Sequence, residues 1–225
     1  MATADRFEAR KRVAARAAAD LVEDGMRLGL GTGSTVAHLL PAIAERGLRG
    51  LRCVATSPAT AAQARALGLP VEGFDAPGAP DALDLAIDGA DQVAPDWWVV
   101  KGGGGAHTRE KIVAAAAARF VVIAGEEKLV DALRPPIPVE LLRFGLAATL
   151  RALGDAAVRP GAPPSPDGGV IADVVGPVGD PYERAVALDA VPGVVAHGLF
   201  PPSLVTAVIV GSDDGPRRLA APPRR

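Results

Sequence analysis

One stretch of the sequence, residues 101–111, reads Lys-Gly-Gly-Gly-Gly-Ala-His-Thr-Arg-Glu-Lys and organises our expectations for the whole chain. An apolar run at 97–100 precedes it and an alanine-rich segment follows, so the pattern predicts a strand, a loop and a helix. Four consecutive glycines cost backbone entropy, and such a loop is typical of main-chain amides that approach a ligand. Lys101 and Glu110 place a cation and a carboxylate beside this loop.

The same stretch has a simpler interpretation, in which Thr108 is the N-cap of the helix and Glu110 only compensates the helix dipole. His107 has no second histidine or cysteine at metal-ligand spacing, so we expect it to be an ordinary loop residue.

Composition excludes several classes of protein. No apolar run approaches the length of a membrane span, and the charged first residues lack the apolar segment of a signal peptide. A net charge of −2 and an aromatic content of 4% argue against nucleic-acid binding. Cys53 is the only cysteine in the 225 residues, which excludes an intramolecular disulfide and fits a reducing compartment. We therefore expect a cytoplasmic protein.

A second glycine-rich turn, Gly31-Thr32-Gly33-Ser34-Thr35, follows a predicted strand at 26–30 and precedes an apolar helix. This order places an anion at a helix N-terminus. The turn lacks the third glycine of a dinucleotide fingerprint and the lysine of a P-loop. It therefore predicts a small phosphate site made of backbone amides and the hydroxyls of Thr32, Ser34 and Thr35, the alternative being a tight turn with a hydroxyl N-cap. Pro41 should kink or delay the following helix.

Charged residues also follow two other predicted strands. Asp88-Gly89-Ala90-Asp91 comes after a strand at 83–87, and Lys128 comes after a strand at 120–124. Ligands of open parallel sheets bind at the carboxyl ends of the strands, so these side chains are expected in one crevice. The alternatives are simple Asp-Gly turn chemistry and an ordinary surface lysine.

Strands alternate with helical segments over most of the chain, which predicts a right-handed, mostly parallel sheet. We expect an α/β fold with a Rossmann-like sheet and helices on both faces, plus a small α+β subdomain. Residues 1–133 and 204–225 would form the catalytic domain, and 134–203 the subdomain. The other predicted elements are a basic first helix at 5–24 ended by Gly25, helices at 139–153 and 183–189, and strands at 51–55, 71–74, 97–100, 170–175, 194–200 and 204–210, the last of which can rejoin the main sheet.

A phosphate site, a carboxylate base and a cation together suit proton transfer next to the carbonyl of a small phosphorylated substrate. Glu110 would remove the proton and Lys101 would stabilise the developing oxyanion. The cations of the first helix either form a solvated face or include one that reaches the phosphate. The sequence shows neither a metal-binding constellation nor a Ser-His-Asp arrangement.

Three blocks resemble the signatures of the type A ribose-5-phosphate isomerase family: residues 31–35, residues 88–91, and residues 101–104 with Thr-Arg-Glu-Lys-Ile at 108–112. Their order and spacing agree with the family, and the likeness extends through Pro138-Val139-Glu140 and residues 192–200. The family interconverts ribose 5-phosphate and ribulose 5-phosphate through an enediolate, without metal or organic cofactor. The resemblance thus implies a small phosphorylated sugar as substrate, no nucleic-acid or membrane partner, and a homodimer.

The resemblance also implies roles for individual residues. Glu110 corresponds to the general base, and Lys11 to a phosphate-reaching lysine of the first helix. Asp88 and Asp91, whose roles the sequence does not divide, suit ring opening and hydroxyl proton transfer, and Lys101 joins them in catalysis. The implied substrate-binding residues are Thr32, Gly33, Ser34, Thr35, Asp88, Gly89, Ala90, Asp91, Lys101, Gly102, Gly103, Gly104 and Lys128.

Three residues depart from the family pattern: Gly125, Glu127 and Arg143. The family's Asp-x-Ser-Lys block is Gly-Glu-Glu-Lys at residues 125–128, and Arg143 replaces a proline. The alternatives to the isomerase are a related sugar-phosphate isomerase or deaminase with another substrate, and a non-catalytic sugar-phosphate sensor. A sensor would tolerate loss of the base, whereas Glu110 is present.

Overall fold

The computed structural model describes residues 3–220, and the remaining ends of the predicted catalytic domain lie outside this range. The helices are Thr3–Ala19 (α1), Ser34–Ala44 (α2), Pro58–Ala66 (α3), His107–Ala116 (α4), Leu146–Leu153 (α5) and Pro181–Asp189 (α6), with a 3-10 turn at Glu126–Lys128. The strands are Arg27–Leu30 (β1), Arg52–Ala55 (β2), Val71–Glu72 (β3), Leu85–Gly89 (β4), Gln92–Val93 (β5), Val99–Val100 (β6), Phe120–Gly125 (β7), Ile137–Leu141 (β8), Ala156–Val158 (β9), Val170–Val174 (β10), Val194–His197 (β11), Leu199–Phe200 (β12), Ala207–Ser212 (β13) and Gly215–Ala220 (β14).

The main sheet has seven strands in the order β3-β2-β1-β4-β7-β13-β14. All neighbours are parallel except β13 and β14, which form an antiparallel hairpin at one edge. The predicted Rossmann-like parallel sheet is confirmed, as is the return of the last predicted strand to this sheet as β13. The strand order reverses direction between β1 and β4, the point where open α/β sheets bind their ligands.

Both faces of the main sheet are covered, as the sequence predicted. Along β7, Val121 and Ile123 pack with α1 and α2 on one face, whereas Phe120 and Val122 pack with α4 on the other. This alternation follows from the two-residue period of a strand, and burial of both faces explains the continuous apolar run at 120–124.

A four-stranded antiparallel sheet, in the order β11-β8-β10-β9, lies within residues 137–197. Its core includes apolar residues of α5 and α6, so this part of the chain is the expected α+β unit. A separate three-stranded sheet, β12-β6-β5, pairs Leu199 and Phe200 with Val100 and Val99. It joins the two parts of the chain directly beside residue 101.

Several predicted boundaries were wrong. Residues 137–141 form the fully buried strand β8 and not the start of a helix; α5 begins only after Gly145, which has a φ of 71°. Helix α1 ends at Ala19, so Gly25 does not cap it. Pro41 does not delay α2, which begins at Ser34 and contains the proline in its last turns. In the part of the chain described here, no helix is long and apolar enough to cross a membrane.

Candidate active site

The loops after β1, β4 and β6 meet the N-terminal end of α4 in one pocket of about 90 Å³. The pocket lies at the reversal point of the main sheet. It is lined by Thr32, Gly33, Ser34, Thr35, Gly89, Ala90, Asp91, Lys101, Gly102, Gly103, Gly104, Glu110 and Lys128. The structure therefore brings together all of the predicted site residues, with Asp88 beneath the others in contact with Lys101.

A buried charge cluster of Asp88, Lys101 and Glu110 forms the floor of the pocket. The Lys101 Nζ lies 2.9 Å from Asp88 Oδ2 and 3.2 Å from Glu110 Oε2, and it donates a hydrogen bond of 2.5 Å to the Gly89 carbonyl. The three side chains are only 3–4% exposed. One cation thus faces two carboxyl groups away from bulk water, so the cluster has more negative than positive charge when both carboxyl groups are ionised.

Burial changes the acidity of each group in this cluster. Burial raises the pKa of Glu110 to about 8, and the negative charge of Asp88 adds to the rise while Lys101 opposes it. Burial also raises the pKa of Asp88, against the attraction of Lys101. Burial alone would lower the pKa of Lys101, but the carboxylates of Asp88 and Glu110 raise it above its ordinary value. Lys101 therefore stays charged at neutral pH, where Glu110 can take up and release a proton.

The loop after β1 is held by Asp88. Its Oδ1 accepts hydrogen bonds from the amides of Thr32, at 3.0 Å, and Gly89, at 2.7 Å. Gly31 permits this approach, because a Cβ there would lie 2.0 Å from the Asp88 carboxyl. The same carboxylate that pairs with Lys101 thus also fixes the predicted phosphate loop.

The N-terminus of α2 opens into the pocket. Its N-cap, Gly33, has a φ of 120° and makes no side-chain capping bond, so the amides of the first helical turn are available to an anion. Ser34 is exposed and Thr35 half-buried, and both line the pocket. The Thr32 hydroxyl instead bonds the hydroxyls of Thr56, at 2.7 Å, and Thr60, at 3.3 Å. Of the three predicted hydroxyls, those of Ser34 and Thr35 are therefore best placed for a ligand.

The glycine loop after β6 closes the other side of the pocket. Gly102 has a φ of 108°, and a Cβ there would lie 2.7 Å from both His107 and Pro138, so no other residue fits without a shift. The Gly103 amide donates a 2.7 Å hydrogen bond to Asp91 Oδ2. The four glycines are therefore explained by close packing on one side and an open pocket on the other.

Helix α4 starts two residues earlier than predicted. Ala106 occupies the N-cap position, and the predicted N-cap, Thr108, instead donates its hydroxyl to Glu140, a buried residue of β8. Glu140 also accepts a hydrogen bond from Ser165. His107 is the first residue of the helix and is buried; burial lowers its pKa to about 3, so the ring is neutral. The contact between Thr108 and Glu140 links the helix that carries Glu110 to the four-stranded sheet.

Lys128 lines the pocket from the 3-10 turn. Of the two residues that depart from the family pattern beside it, Gly125 ends β7, and Glu127 points to α1, where it and its neighbour Glu126 form ion pairs with Arg10. Arg143, the other departure, donates a 3.0 Å hydrogen bond to the Gly168 carbonyl. The side chains of Glu127 and Arg143 therefore make contacts of their own, and Lys128 keeps its place at the site.

Several cations of α1 are paired with carboxylates. Arg6 and Arg10 bind Asp213, and Lys11 lies 2.5 Å from Glu8 Oε1. None of the three lines the pocket. Within residues 3–220, no group of three or more His, Cys, Asp or Glu side chains could hold a metal ion.

Sequence reasoning missed the residues that brace the site from the small sheet. Arg159 donates hydrogen bonds to the carbonyls of Gly102 and Gly103, and Asp173 holds its guanidinium. No motif marks either residue, because they reach the loop from positions about 55–70 residues further along the chain. Glu140 belongs to the Pro138-Val139-Glu140 block that resembles the family, but the sequence of this block does not indicate which side chains Glu140 contacts.

Comparison with known proteins identifies the family. The family model for ribose 5-phosphate isomerase A (phosphoriboisomerase A) matches residues 52–215. A ribose-5-phosphate isomerase A from Caulobacter vibrioides is 45% identical over 223 residues, which cover 93% of this chain and 96% of that protein.

Solved structures agree with this assignment. The ribose 5-phosphate isomerase A of Neisseria gonorrhoeae matches with a TM-score of 0.90 and 31% identity, covering 96% of this chain and 98% of that chain. A D-ribose-5-phosphate isomerase in complex with phospho-erythronic acid matches with a TM-score of 0.86 and 34% identity, covering 93% and 97%. The chain belongs to the ribose 5-phosphate isomerase A family of aldose–ketose isomerases, which interconvert ribose 5-phosphate and ribulose 5-phosphate.

Proposed function

We propose that Glu110 is the general base of this isomerase and that the reaction passes through an enediolate. The observation that carries the proposal is the position of Glu110 in the pocket wall, 3.2 Å from Lys101, with burial raising its pKa to about 8. A base with a pKa near the working pH accepts and returns a proton at a small free-energy cost in both directions.

The proton transfer follows from these positions. Glu110 takes the proton from C2 of the open-chain aldose, and the electron pair of the broken C–H bond forms the C1–C2 double bond. The negative charge passes to the carbonyl oxygen on C1, where the Lys101 cation stabilises it. The O2 proton moves to O1, and Glu110 returns its proton to C1, which leaves the ketose carbonyl at C2.

Asp88 and Asp91 are proposed to handle the hydroxyl protons and the opening of the sugar ring. Burial raises the pKa of Asp88, so this carboxyl holds a proton more readily than an exposed aspartate does. Asp91 lines the pocket and accepts from the Gly103 amide through one oxygen. Their roles remain undivided in this proposal.

The phosphate is proposed to bind at the other end of the pocket. The first-turn amides of α2 and the side chains of Ser34 and Thr35 supply donors, and Lys128 supplies a cation. This arrangement separates the anchored phosphate from C1 and C2, which would lie over Glu110. The remaining pocket residues, including Gly89, Ala90 and Gly102 to Gly104, would contact the sugar.

A turnover assay tests the proposal. Purified protein, incubated with ribose 5-phosphate and a chelator, should form ribulose 5-phosphate. Glu110→Gln should lower kcat by about 10²–10⁴-fold, because a positioned base contributes that much. It should still bind phospho-erythronic acid, and the exposed Glu23→Gln serves as the matched carboxylate control.

Three outcomes would contradict parts of the proposal. Near-normal turnover by Glu110→Gln would remove the assignment of the base. Binding of ribose 5-phosphate without any turnover by the wild-type protein would favour the sugar-phosphate sensor, and turnover of another sugar phosphate alone would favour the related isomerase or deaminase.

We also propose that the protein is a cytoplasmic homodimer with two domains, residues 1–133 with 204–225 and residues 134–203. The resemblance to the family supports the dimer, and exposed apolar side chains such as Phe144 (92%) and Leu142 (52%) offer a surface for it. The single, buried Cys53 supports a reducing compartment. The four-stranded sheet within 137–197 supports the second domain. Light scattering at micromolar concentration tests the dimer.

A further inference from the structure

We propose that Arg159 is a positioning residue for the isomerisation: it fixes two peptide groups of the glycine loop so that the Gly104 amide faces the oxygens of the bound sugar phosphate. This inference rests on the proposed function of the pocket. It concerns a residue outside the pocket, directly after β9 of the four-stranded sheet, and gives that sheet a part in the reaction.

The contacts of Arg159 join the small sheet to the glycine loop. Its Nη1 donates to the Gly102 carbonyl at 3.0 Å and to the Gly103 carbonyl at 2.9 Å. Its Nε and Nη2 donate to the two carboxylate oxygens of Asp173 in β10, at 2.8 and 2.6 Å. The bidentate pair with Asp173 fixes the plane of the guanidinium, so the loop carbonyls meet a donor of set direction.

These contacts determine where the loop amides point. In a trans peptide the C=O and the next N–H point in opposite directions. The Gly102 carbonyl faces Arg159, and accordingly the Gly103 N–H faces away from it, to Asp91 at 2.7 Å. The Gly103 carbonyl also faces Arg159, so the Gly104 N–H points away from the small sheet as well.

The Gly104 amide is the hydrogen-bond donor of this loop that remains available to a ligand. Gly103 and Gly104 are exposed and line the pocket, whereas the Gly105 amide is used within the loop, in a 3.0 Å hydrogen bond to the Gly102 carbonyl. Within the described range of the chain, the Gly104 N–H has no hydrogen-bond acceptor. The positive guanidinium on the Gly103 carbonyl also polarises that peptide and strengthens its N–H as a donor.

A brace of this kind is needed because of the loop's composition. Four glycines have a wide range of accessible backbone conformations, so the loop itself sets no direction for its amides. One side of the loop rests on β10, where a Cβ on Gly105 would lie 3.2 Å from the Ile171 side chain. Arg159 supplies the directional contact that this packing lacks.

The test compares Arg159 with a matched ion pair in the same subdomain. Arg184 lies 2.7 Å from Asp155, its side chain is 22% exposed against 21% for Arg159, and it makes no contact with the glycine loop. Arg159→Met should lower kcat/KM for ribose 5-phosphate by about 10–100-fold, since small misplacements of binding groups have effects of this size. Arg184→Met should leave kcat/KM unchanged.

Two further variants show whether Arg159→Met loses activity because the glycine loop is misplaced or only because the fold is less stable. Arg159→Lys should recover part of the activity, because an ammonium can still reach the carbonyls although it cannot pair bidentately with Asp173. Asp173→Asn should give a smaller loss than Arg159→Met. In ¹⁵N–¹H spectra, the Gly104 amide signal should move in Arg159→Met and stay in Arg184→Met. If Arg159→Met does not fold, the activities of Arg159→Lys and Asp173→Asn decide the matter.

The proposal is overturned if Arg159→Met, or in its absence Asp173→Asn and Arg159→Lys, keeps wild-type kcat/KM. It is also overturned if Arg184→Met loses as much activity as Arg159→Met. Absence of turnover by the wild-type protein would instead contradict the proposed function. The Gly104 signal and the affinity for phospho-erythronic acid would then still test the orientation of the loop.

Discussion

Two clusters of charged residues in this molecule contain the same kinds of groups but differ in burial. The buried charge cluster holds Lys101 between Asp88 and Glu110 at the pocket floor. A second cluster, here called the terminal cluster, joins α1 to the 3-10 turn and the β13–β14 hairpin. It consists of Arg6, Arg10, Glu126, Glu127 and Asp213.

Burial makes the carboxylates of the two clusters behave in opposite ways. Hydrogen bonds from Arg6 and Arg10 hold the pKa of Asp213 well below its ordinary value, and its side chain is 42% exposed. In the buried charge cluster, desolvation raises the pKa of Glu110 to about 8 although a cation lies beside it. Ion pairing alone therefore does not produce a base; removal from water does.

The largest effect is expected from removal of the central cation of the buried charge cluster. Lys101→Met leaves two carboxylates that are only 3–4% exposed without a cation beside them, which should lower the free energy of unfolding by about 3–5 kcal/mol. It should also abolish most of the turnover. Urea unfolding at pH 7 measures the first effect and the isomerase assay the second.

Arg10→Met is the comparison variant from the terminal cluster. It should destabilise the protein less, because Glu126, Glu127 and Asp213 remain partly exposed and regain water. A greater loss of stability in Arg10→Met than in Lys101→Met would contradict the contrast between the clusters.

An intermediate effect is expected in the pH profile. A base must be deprotonated to act, so kcat/KM should rise with pH toward an apparent pKa near 8. The charge of Asp88 contributes to that raised pKa, so Asp88→Asn should move the midpoint to lower pH as well as reduce activity. An unchanged or higher midpoint in Asp88→Asn would show that the two carboxyls are not coupled.

The smallest effect is expected in the terminal cluster. Because the folded-state pKa of Asp213 is depressed, its stabilising contribution is present above the ordinary carboxyl pKa of 3.8 and is lost as the pH falls below it. Asp213→Asn should therefore lower the melting temperature slightly at pH 7, and the difference from wild type should shrink as the pH falls below 3.8 toward the depressed pKa of Asp213. Added salt should shrink the difference at pH 7, because exposed pairs are screened.

Activity separates this variant from the others. Asp213→Asn should keep the wild-type kcat, since neither Asp213 nor its arginine partners line the pocket. A large loss of turnover would indicate that the terminal cluster also controls the position of Lys128.

Local patterns predicted much of the fold and the candidate site. The blocks at 31–35 and 88–91 lie together because the parallel strands β1 and β4 end at one edge of the main sheet, which needs no knowledge of distant contacts. The block at 101–104 follows β6 of the separate antiparallel sheet, and only the tertiary structure brings it to the same pocket. The region at 137–153 shows where this reasoning failed. Its leucines and alanines suit a helix, but tertiary pairing with β10 and β11 makes residues 137–141 a strand.

The cap of α4 shows the same limitation at one residue. Thr108 has the right side chain for an N-cap, yet its hydroxyl bonds Glu140, 32 positions away, and the helix begins at His107. A local capping rule compares only neighbours in sequence, whereas the folded chain offers a buried carboxylate as a stronger partner.

By itself, the sequence determined the α/β class, the order of the strand-end blocks and the family to which the chain belongs. Only the tertiary structure decided the electrostatics: that Asp88 and Glu110 share one buried cation, and that Arg159 and Asp173 brace the glycine loop. The physical reason is that a residue's type and its neighbours in sequence set local conformation, whereas desolvation and ion pairing depend on which distant groups fold around it.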